Sequence, residues 1–161
     1  MCGLAFSGKS TLARKIAERT GSKLIAFDKL WVKKDKERPI PKDEAGWRFI
    51  RKVAQDEIAH ELKKGNSVVY DDNNVRFEHR EELRKVARRF SARPIVVYLN
   101  TPIEVIRERE ANNKVTGERH EVEPKNSQTV LEQLQPPSLA EGVLEFAPTM
   151  NIENFLNELP K

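Results

Sequence analysis

The chain has 161 residues, 38% of them apolar and 34% charged, with a mean hydropathy of −0.66. This length suits one packed domain, expected to span residues 1–161, and no apolar run approaches the roughly 20 residues that cross a membrane. The single cysteine, Cys2, excludes an internal disulfide framework and argues against a cysteine-built metal site. No secretory leader is visible, so a cytoplasmic location is the default expectation.

The formal net charge of +4 is unevenly distributed. Residues 121–161 hold two basic and seven acidic side chains, which leaves residues 1–120 with a net charge of +9. A positive amino-terminal region suits anionic ligands. The signs are interleaved, as in Lys33-Lys34-Asp35-Lys36-Glu37-Arg38, which reads as a solvated face before it reads as a nucleic-acid stripe.

The first element is Gly3-Leu4-Ala5-Phe6-Ser7-Gly8-Lys9-Ser10, which matches GxxxxGK[ST] at every fixed position and runs into a helical pattern, Thr11 to Arg19. Glycines let a backbone wrap a phosphate so that successive N–H groups point inward, and the following helix adds its positive end. Lys9 can reach the β- and γ-phosphates of a nucleotide, and the Ser10 hydroxyl can ligate Mg²⁺. Gly3, Ser7, Gly8, Lys9, Ser10 and Thr11 are therefore the candidate ATP-binding residues. A buried strand should precede such a loop, yet only Met1 and Cys2 do. The sequence as given is expected to begin late, at an internal methionine or a fragment boundary, with that strand truncated.

Leu24-Ile25-Ala26-Phe27 reads as a buried strand, followed by Asp28. The carboxyl-terminal edge of a parallel sheet is where ligands sit, so Asp28 is a candidate general base for an acceptor hydroxyl; the alternative is a cap on a short helix through Leu30-Trp31. Val32 to Asp43, with two prolines and many charges, is expected to be a long loop. A helix from about Glu44 to Lys64 carries Trp47, Ile50, Val53, Ala54, Ile58 and Leu62 on one stripe and ends at Gly65-Asn66.

Val68-Val69-Tyr70 is the next strand, running into Asp71-Asp72-Asn73-Asn74. An apolar strand ending in aspartate supports Mg²⁺ in phosphate-loop enzymes, which makes Asp71 and Asp72 metal candidates beside Ser10. Successive side chains point opposite ways, so the choice between the two stays open. The same residues could form a turn, with Asn74 capping the helix Phe77 to Phe90. A strand at Ile95–Leu99 and a helix from Ile103 to about Glu110 follow, then an irregular stretch from Asn112 to Pro124. Arg107, Arg109, Lys114, Arg119 and His120 form a basic set there. An arginine reaching in from a lid, about residues 107–124, stabilises charge on a transferring phosphoryl group. Arginines two apart do not share a helix face, so at most one of Arg107 and Arg109 points inward. Val143-Leu144-Glu145-Phe146 is a weaker strand, and Ile152, Phe155, Leu156 and Leu159 fit a last helix. Alternating strands and helices imply a parallel sheet covered on both faces.

Taken as an ordered series, Gly3–Thr11, Phe27-Asp28, Val69–Asn74 with Arg80, the Arg107–Arg119 segment and Pro136-Pro137 to Pro148 resemble the P-loop kinase family. That family contains polynucleotide kinase, the zeta toxins, gluconate-type kinases and AAA-type ATP-binding proteins. The resemblance covers nearly the whole chain. It implies an α/β fold, a three-layer α/β/α sandwich on a mainly parallel five-stranded sheet whose first strand is truncated here. It also implies ATP and Mg²⁺ as cofactors and transfer of the γ-phosphoryl to a hydroxyl, with a small-molecule acceptor favoured. Asp28 would contact the acceptor, Asp71 or Asp72 would match the family's Asp-Thr-Asn box, and Arg119 would be the lid arginine acting with Lys9 and Asp28 in catalysis. Arg107 joins the nucleotide-binding set. Asn73 stands where the family usually has threonine.

Asn113-Lys114-Val115-Thr116 imitates a guanine-reading box, but Thr116 cannot supply its carboxylate and no strand leads into it. A GTPase is therefore set aside. Two alternatives remain: a polynucleotide 5′-hydroxyl kinase, needing a basic approach to Asp28 and salt-sensitive binding, and an ATP-binding regulatory module without an acceptor.

Overall fold

The computed structural model describes residues 1–117 and 124–159. The chain runs α1 (Lys9–Thr20), β1 (Lys23–Ala26), α2 (Phe27–Glu37), α3 (Glu44–Lys63), β2 (Val68–Asp71), α4 (Phe77–Arg89), β3 (Val96–Leu99), α5 (Ile103–Thr116), α6 (Pro124–Glu132), a 3-10 turn at Leu139–Glu141, β4 (Val143–Phe146) and α7 (Ile152–Asn157). β1 pairs with β2 and β3 with β4, both in parallel.

Residues 1–3 lie between these two pairs. Cys2 forms a parallel bridge with Tyr98, through Cys2 N–H to the Val97 carbonyl (2.8 Å) and Leu99 N–H to the Cys2 carbonyl (2.9 Å). On the other side the Met1 amino group donates to the Tyr70 carbonyl (2.8 Å) and Gly3 N–H to that of Asn73 (3.0 Å). Among the described residues there are four strands in two pairs, joined through one bridging residue at the place of the truncated first strand. Three residues supply too few backbone groups for a ladder.

Helices cover both faces. Leu12 and Ile16 of α1 and Phe155 and Leu156 of α7 pack with Val97 and Leu99 on one side. Leu30 of α2 and Ile50, Ala54 and Ile58 of α3 pack with Ile25 and Tyr70 on the other. The strand side chains alternate between the two clusters: Val69 joins the first, Val68 and Tyr70 the second. Fully burying each such side chain is worth about 1.5–3 kcal/mol.

Other boundaries differ from expectation. The first half of the segment Val32–Asp43 is helix, because Lys33, Lys34, Lys36 and Glu37 are good helix formers and Lys34 pairs with Glu37 at 2.8 Å. The helix stops at Arg38, the residue before Pro39, which is extended at φ −158°. The short loop that follows is held by Ile40 N–H on the Asp35 carboxylate (2.7 Å) and by the Asp43 cap, which accepts from Gly46 N–H (3.0 Å). Gly46 is required there, since a β-carbon would sit 1.9 Å from the Pro41 carbonyl oxygen. Helix α5 continues past Glu110 to a left-handed cap at Gly117, so the irregular stretch begins later than Asn112. Asn74 does not cap α4. Its backbone is left-handed, φ 45°, and its side-chain amide donates to the Met1 carbonyl (3.0 Å).

A buried ion cluster ties α4 to the turn before β4. Arg80 grips Glu141 with two nitrogens (2.7 and 3.1 Å), Arg84 donates to the same carboxylate, and Ser138 N–H adds a fourth bond (3.0 Å). Burial pushes the Glu141 pKa up, but the bonds from Arg80 and Arg84 outweigh it and hold it down to about 2. Because that pKa is depressed, the stabilisation is complete above the ordinary value of 4.5 and is lost as pH falls toward 2. Glu141→Gln, which strands two buried guanidiniums, should cost about 3–5 kcal/mol in urea unfolding at pH 7 and flatten the stability profile between those two pH values.

Candidate nucleotide site

The loop from Gly3 to Gly8 leaves the Cys2 bridge and turns into α1. Three of its residues have positive φ: Gly3 (148°), Phe6 (59°) and Gly8 (102°). Such conformations cost non-glycine residues energy and are kept where a site needs them. At Gly3 a β-carbon would stand 3.1 Å from the Leu99 carbonyl oxygen and 3.3 Å from Ser7 Oγ. The strained Phe6 is held from outside, as Arg109 Nη1 donates to the carbonyls of Phe6 and Ser7 (both 3.1 Å) and Thr101 Oγ1 to that of Ser7 (3.0 Å). Those carbonyls are thereby fixed by groups outside the loop.

Lys9 is the first residue of α1 and is 7% exposed, with Nζ donating to the Leu4 carbonyl at 2.6 Å. Burial lowers its pKa, while the fields of Asp71, Asp72 and Asp28, in that order, raise it. All three sequence-selected aspartates thus converge electrostatically on the loop lysine. Asp72 is engaged: Oδ1 accepts from Asn73 N–H (2.7 Å) and Oδ2 from the Tyr70 hydroxyl (3.2 Å). Burial raises its pKa against those bonds. Asp71 ends β2 on the side of Val69, which faces α1. Asp28 stands exposed in the first turn of α2.

The donor set fits a polyphosphate. Ser7 Oγ is buried without a hydrogen-bond partner and lies beside a cradle that a β-carbon at Gly3 would crowd. An ammonium and the amino terminus of a twelve-residue helix meet there. Among the described residues no three acidic, histidine or cysteine side chains cluster as a self-sufficient metal site. Ser10 and one aspartate would suit Mg²⁺ that takes its remaining ligands from phosphate and water.

Two cavities flank the loop. One, about 460 Å³, is lined by Ser7, Gly8, Thr11, Arg109, Asn113 and Pro148 among others. The second, about 160 Å³, lies against Leu4 and Ala5, between α5 and α6. Arg109 faces the first cavity and Arg107 the second, so the two arginines diverge as helix spacing requires. Arg119 and His120 lie outside the described residues. Thr101 and Ser127 escaped the sequence reading because neither belongs to a motif. The buried Asn113 was visible only as part of a false guanine box.

Residues 1–137 match a family model described as an AAA domain. No curated protein matches the sequence. Among solved structures the chain is similar to a gluconokinase from Sinorhizobium meliloti (24% identity, TM-score 0.67, covering 98% of this chain and 85% of that one). It is similar to the APS kinase of Mycobacterium tuberculosis in complex with AMPPNP and APS (19%, 0.72, 98% and 91%). It is also similar to Kti12 from Chaetomium thermophilum in complex with ADP-AlF3 (17%, 0.78, 98% and 94%). These likenesses establish the shared fold.

At Gly8 a β-carbon would meet nothing closer than Arg109 Nη1 at 3.6 Å, so Gly8→Ala tests backbone strain alone. We expect about 1–3 kcal/mol of lost stability in urea unfolding and weakened AMPPNP binding by calorimetry, as the loop amides turn away.

Proposed function

We propose that this chain, which belongs to the AAA domain family and has the P-loop kinase fold, is an ATP-dependent phosphotransferase acting on a hydroxyl acceptor. The observation that carries this reading is the convergence of three carboxylates, Asp71, Asp72 and Asp28, on the buried Lys9 inside a strained phosphate cradle. A loop built only to bind nucleotide needs the lysine and one metal-linked aspartate; the third carboxylate has acceptor chemistry to do.

In the proposed arrangement the nucleotide base occupies the 460 Å³ cavity by Thr11 and Arg109. The β- and γ-phosphates lie on the loop amides and Lys9 Nζ. Ser10 with Asp71 or Asp72 would hold Mg²⁺, which supplies neutralisation of the phosphate oxygens. The face of β2 and the hydrogen bonds already taken by Asp72 favour Asp71 for that contact. Asp28 takes the proton from the acceptor hydroxyl as its oxygen bonds the γ-phosphorus and the bond to ADP breaks. Lys9 follows the charge as it moves onto the departing ADP, and Arg119 remains a candidate for the same task.

A polynucleotide 5′-hydroxyl acceptor is the second reading, supported by one observation. The exposed face of α2 that begins at Asp28 carries Lys29, Lys33 and Lys36 at one- and two-turn spacing, without salt bridges among the described residues. Binding that falls steeply with added salt would favour it.

Lys9→Ala should reduce acceptor-dependent ATP consumption by about 10²–10³-fold or more. Asp28→Asn should lower kcat by about 10²–10⁴-fold while AMPPNP still binds. Undiminished turnover in Asp28→Asn would remove Asp28 as the base, and undiminished turnover in Lys9→Ala would overturn the whole reading.

A further inference from the structure

The second cavity has features that the phosphate loop does not require. Leu4 and Ala5, on the limb of the loop away from Thr11, form one wall. Asn73, directly after Asp72, forms another, and α5 and α6 close the rest. On α6, Ser127 shares a helical face with Val130 and Leu131, and all three line the cavity. An apolar side chain would be the ordinary choice between such neighbours. Ser127 Oγ is instead buried without a hydrogen-bond partner. A buried hydroxyl with no partner is costly to keep, and the cost is removed when a ligand supplies the missing hydrogen bond.

The rim of the cavity fixes the ligand's charge. Arg107 and Glu110, one turn apart on α5, both line it, so neither an anion nor a cation is favoured overall. Gln128 and Asn73 add neutral donors and acceptors. The volume of about 160 Å³ falls below the roughly 300–1,000 Å³ of ordinary ligand pockets. That holds one end of a small molecule, too little for a nucleotide base with its sugar. The two cavities meet only at Phe6, one on each limb of the loop. A nucleotide entering past Thr11 would therefore present its terminal phosphate toward the second cavity.

We propose that the cavity between the phosphate loop, α5 and α6 holds the non-reacting end of a small uncharged polyol acceptor, and that Ser127 positions it by hydrogen-bonding a hydroxyl that is not phosphorylated. This rests on the kinase reading for its chemistry but not for its binding, so the two can fail separately. Ser127 is a positioning residue, acting on the acceptor rather than on the transferring phosphoryl group.

The test is calorimetric titration of the full chain, loaded with AMPPNP, using glycerol and erythritol as neutral probes and glycerol 3-phosphate and erythronate as anionic ones. Neutral polyols should bind at least tenfold more tightly than their anionic counterparts. Ser127→Ala should weaken the polyol at least tenfold, and Ser127→Thr should recover it to within threefold. AMPPNP affinity and Tm are measured in parallel. The proposal is overturned if no neutral polyol binds, if the anionic probes bind more tightly, or if Ser127→Ala leaves polyol affinity unchanged while Tm rises, as a mere packing defect would. An equal loss of AMPPNP and polyol binding in Ser127→Ala also overturns it, because the residue would then only support the loop. Polyol binding without any ATP consumption would end the kinase reading and leave this site standing. Turnover of an acceptor indifferent to Ser127 would do the reverse.

Discussion

Everything in this fold that faces the nucleotide site hangs on three residues held between two pairs of strands. Cys2 exchanges backbone hydrogen bonds with Val97 and Leu99 on one side, while Met1 and Gly3 bond Tyr70 and Asn73 on the other. These bonds join β1–β2 to β3–β4 and set the starting point of the phosphate loop. The loop cannot drift relative to the end of β2, because Gly3 is tied to Asn73, and Asp71 and Asp72 therefore arrive near Lys9. The junction is shielded by neighbours: Cys2 is fully buried and its thiol donates to the Asn74 carbonyl (3.4 Å). The Asn74 amide returns a bond to Met1, at the expense of a left-handed backbone.

The same junction leads outward to the Arg80–Glu141–Arg84 cluster. Arg80 Nη1 donates to the carbonyls of Asn74 and Val75 (both 3.0 Å) while its other nitrogens hold Glu141. One guanidinium thereby connects the turn after β2 to the turn before β4, some 60 residues apart in sequence. β4 is thus held beside β3, and the segment carrying Phe146 and Pro148 stays against the larger cavity. Buried charges are expensive unless every oxygen and N–H is matched, and here the carboxylate is matched by two arginines and a backbone amide. A solvent-exposed pair such as Lys52–Asp56 organises nothing comparable.

At the site itself, electrostatics and strain act together. Lys9 is buried, which lowers its pKa, and the fields of Asp71, Asp72 and Asp28 oppose that shift. The loop holds an unfavourable φ at Phe6 because Arg109 and Thr101 bond the carbonyls of Phe6 and Ser7. These are second-layer contacts from α5 and the end of β3.

The nucleotide loop, the alternation of strands and helices and the apolar stripe of α3 were legible in the sequence, since each is a local pattern with its own period or fixed spacing. Asp28, Asp71 and Asp72 were legible as candidates for the same reason: each follows a short apolar strand. Local reading failed where a neighbour decided the outcome. Charge and two prolines suggested a loop at Val32–Asp43, yet the prolines break the backbone only from Arg38 onward, and before them Lys34 and Glu37 pair along a helix. An irregular stretch was expected from Asn112, yet α5 continues to Thr116 with Asn113 buried. Only the tertiary structure decided that the truncated strand is reduced to a single bridge at Cys2, that Arg109 rather than Arg107 supports the loop, and that a hydroxyl on α6 lines a cavity beside it. Those outcomes depend on hydrogen bonds and packing between residues up to about a hundred positions apart, as from Phe6 to Arg109, and no window along the chain contains both partners.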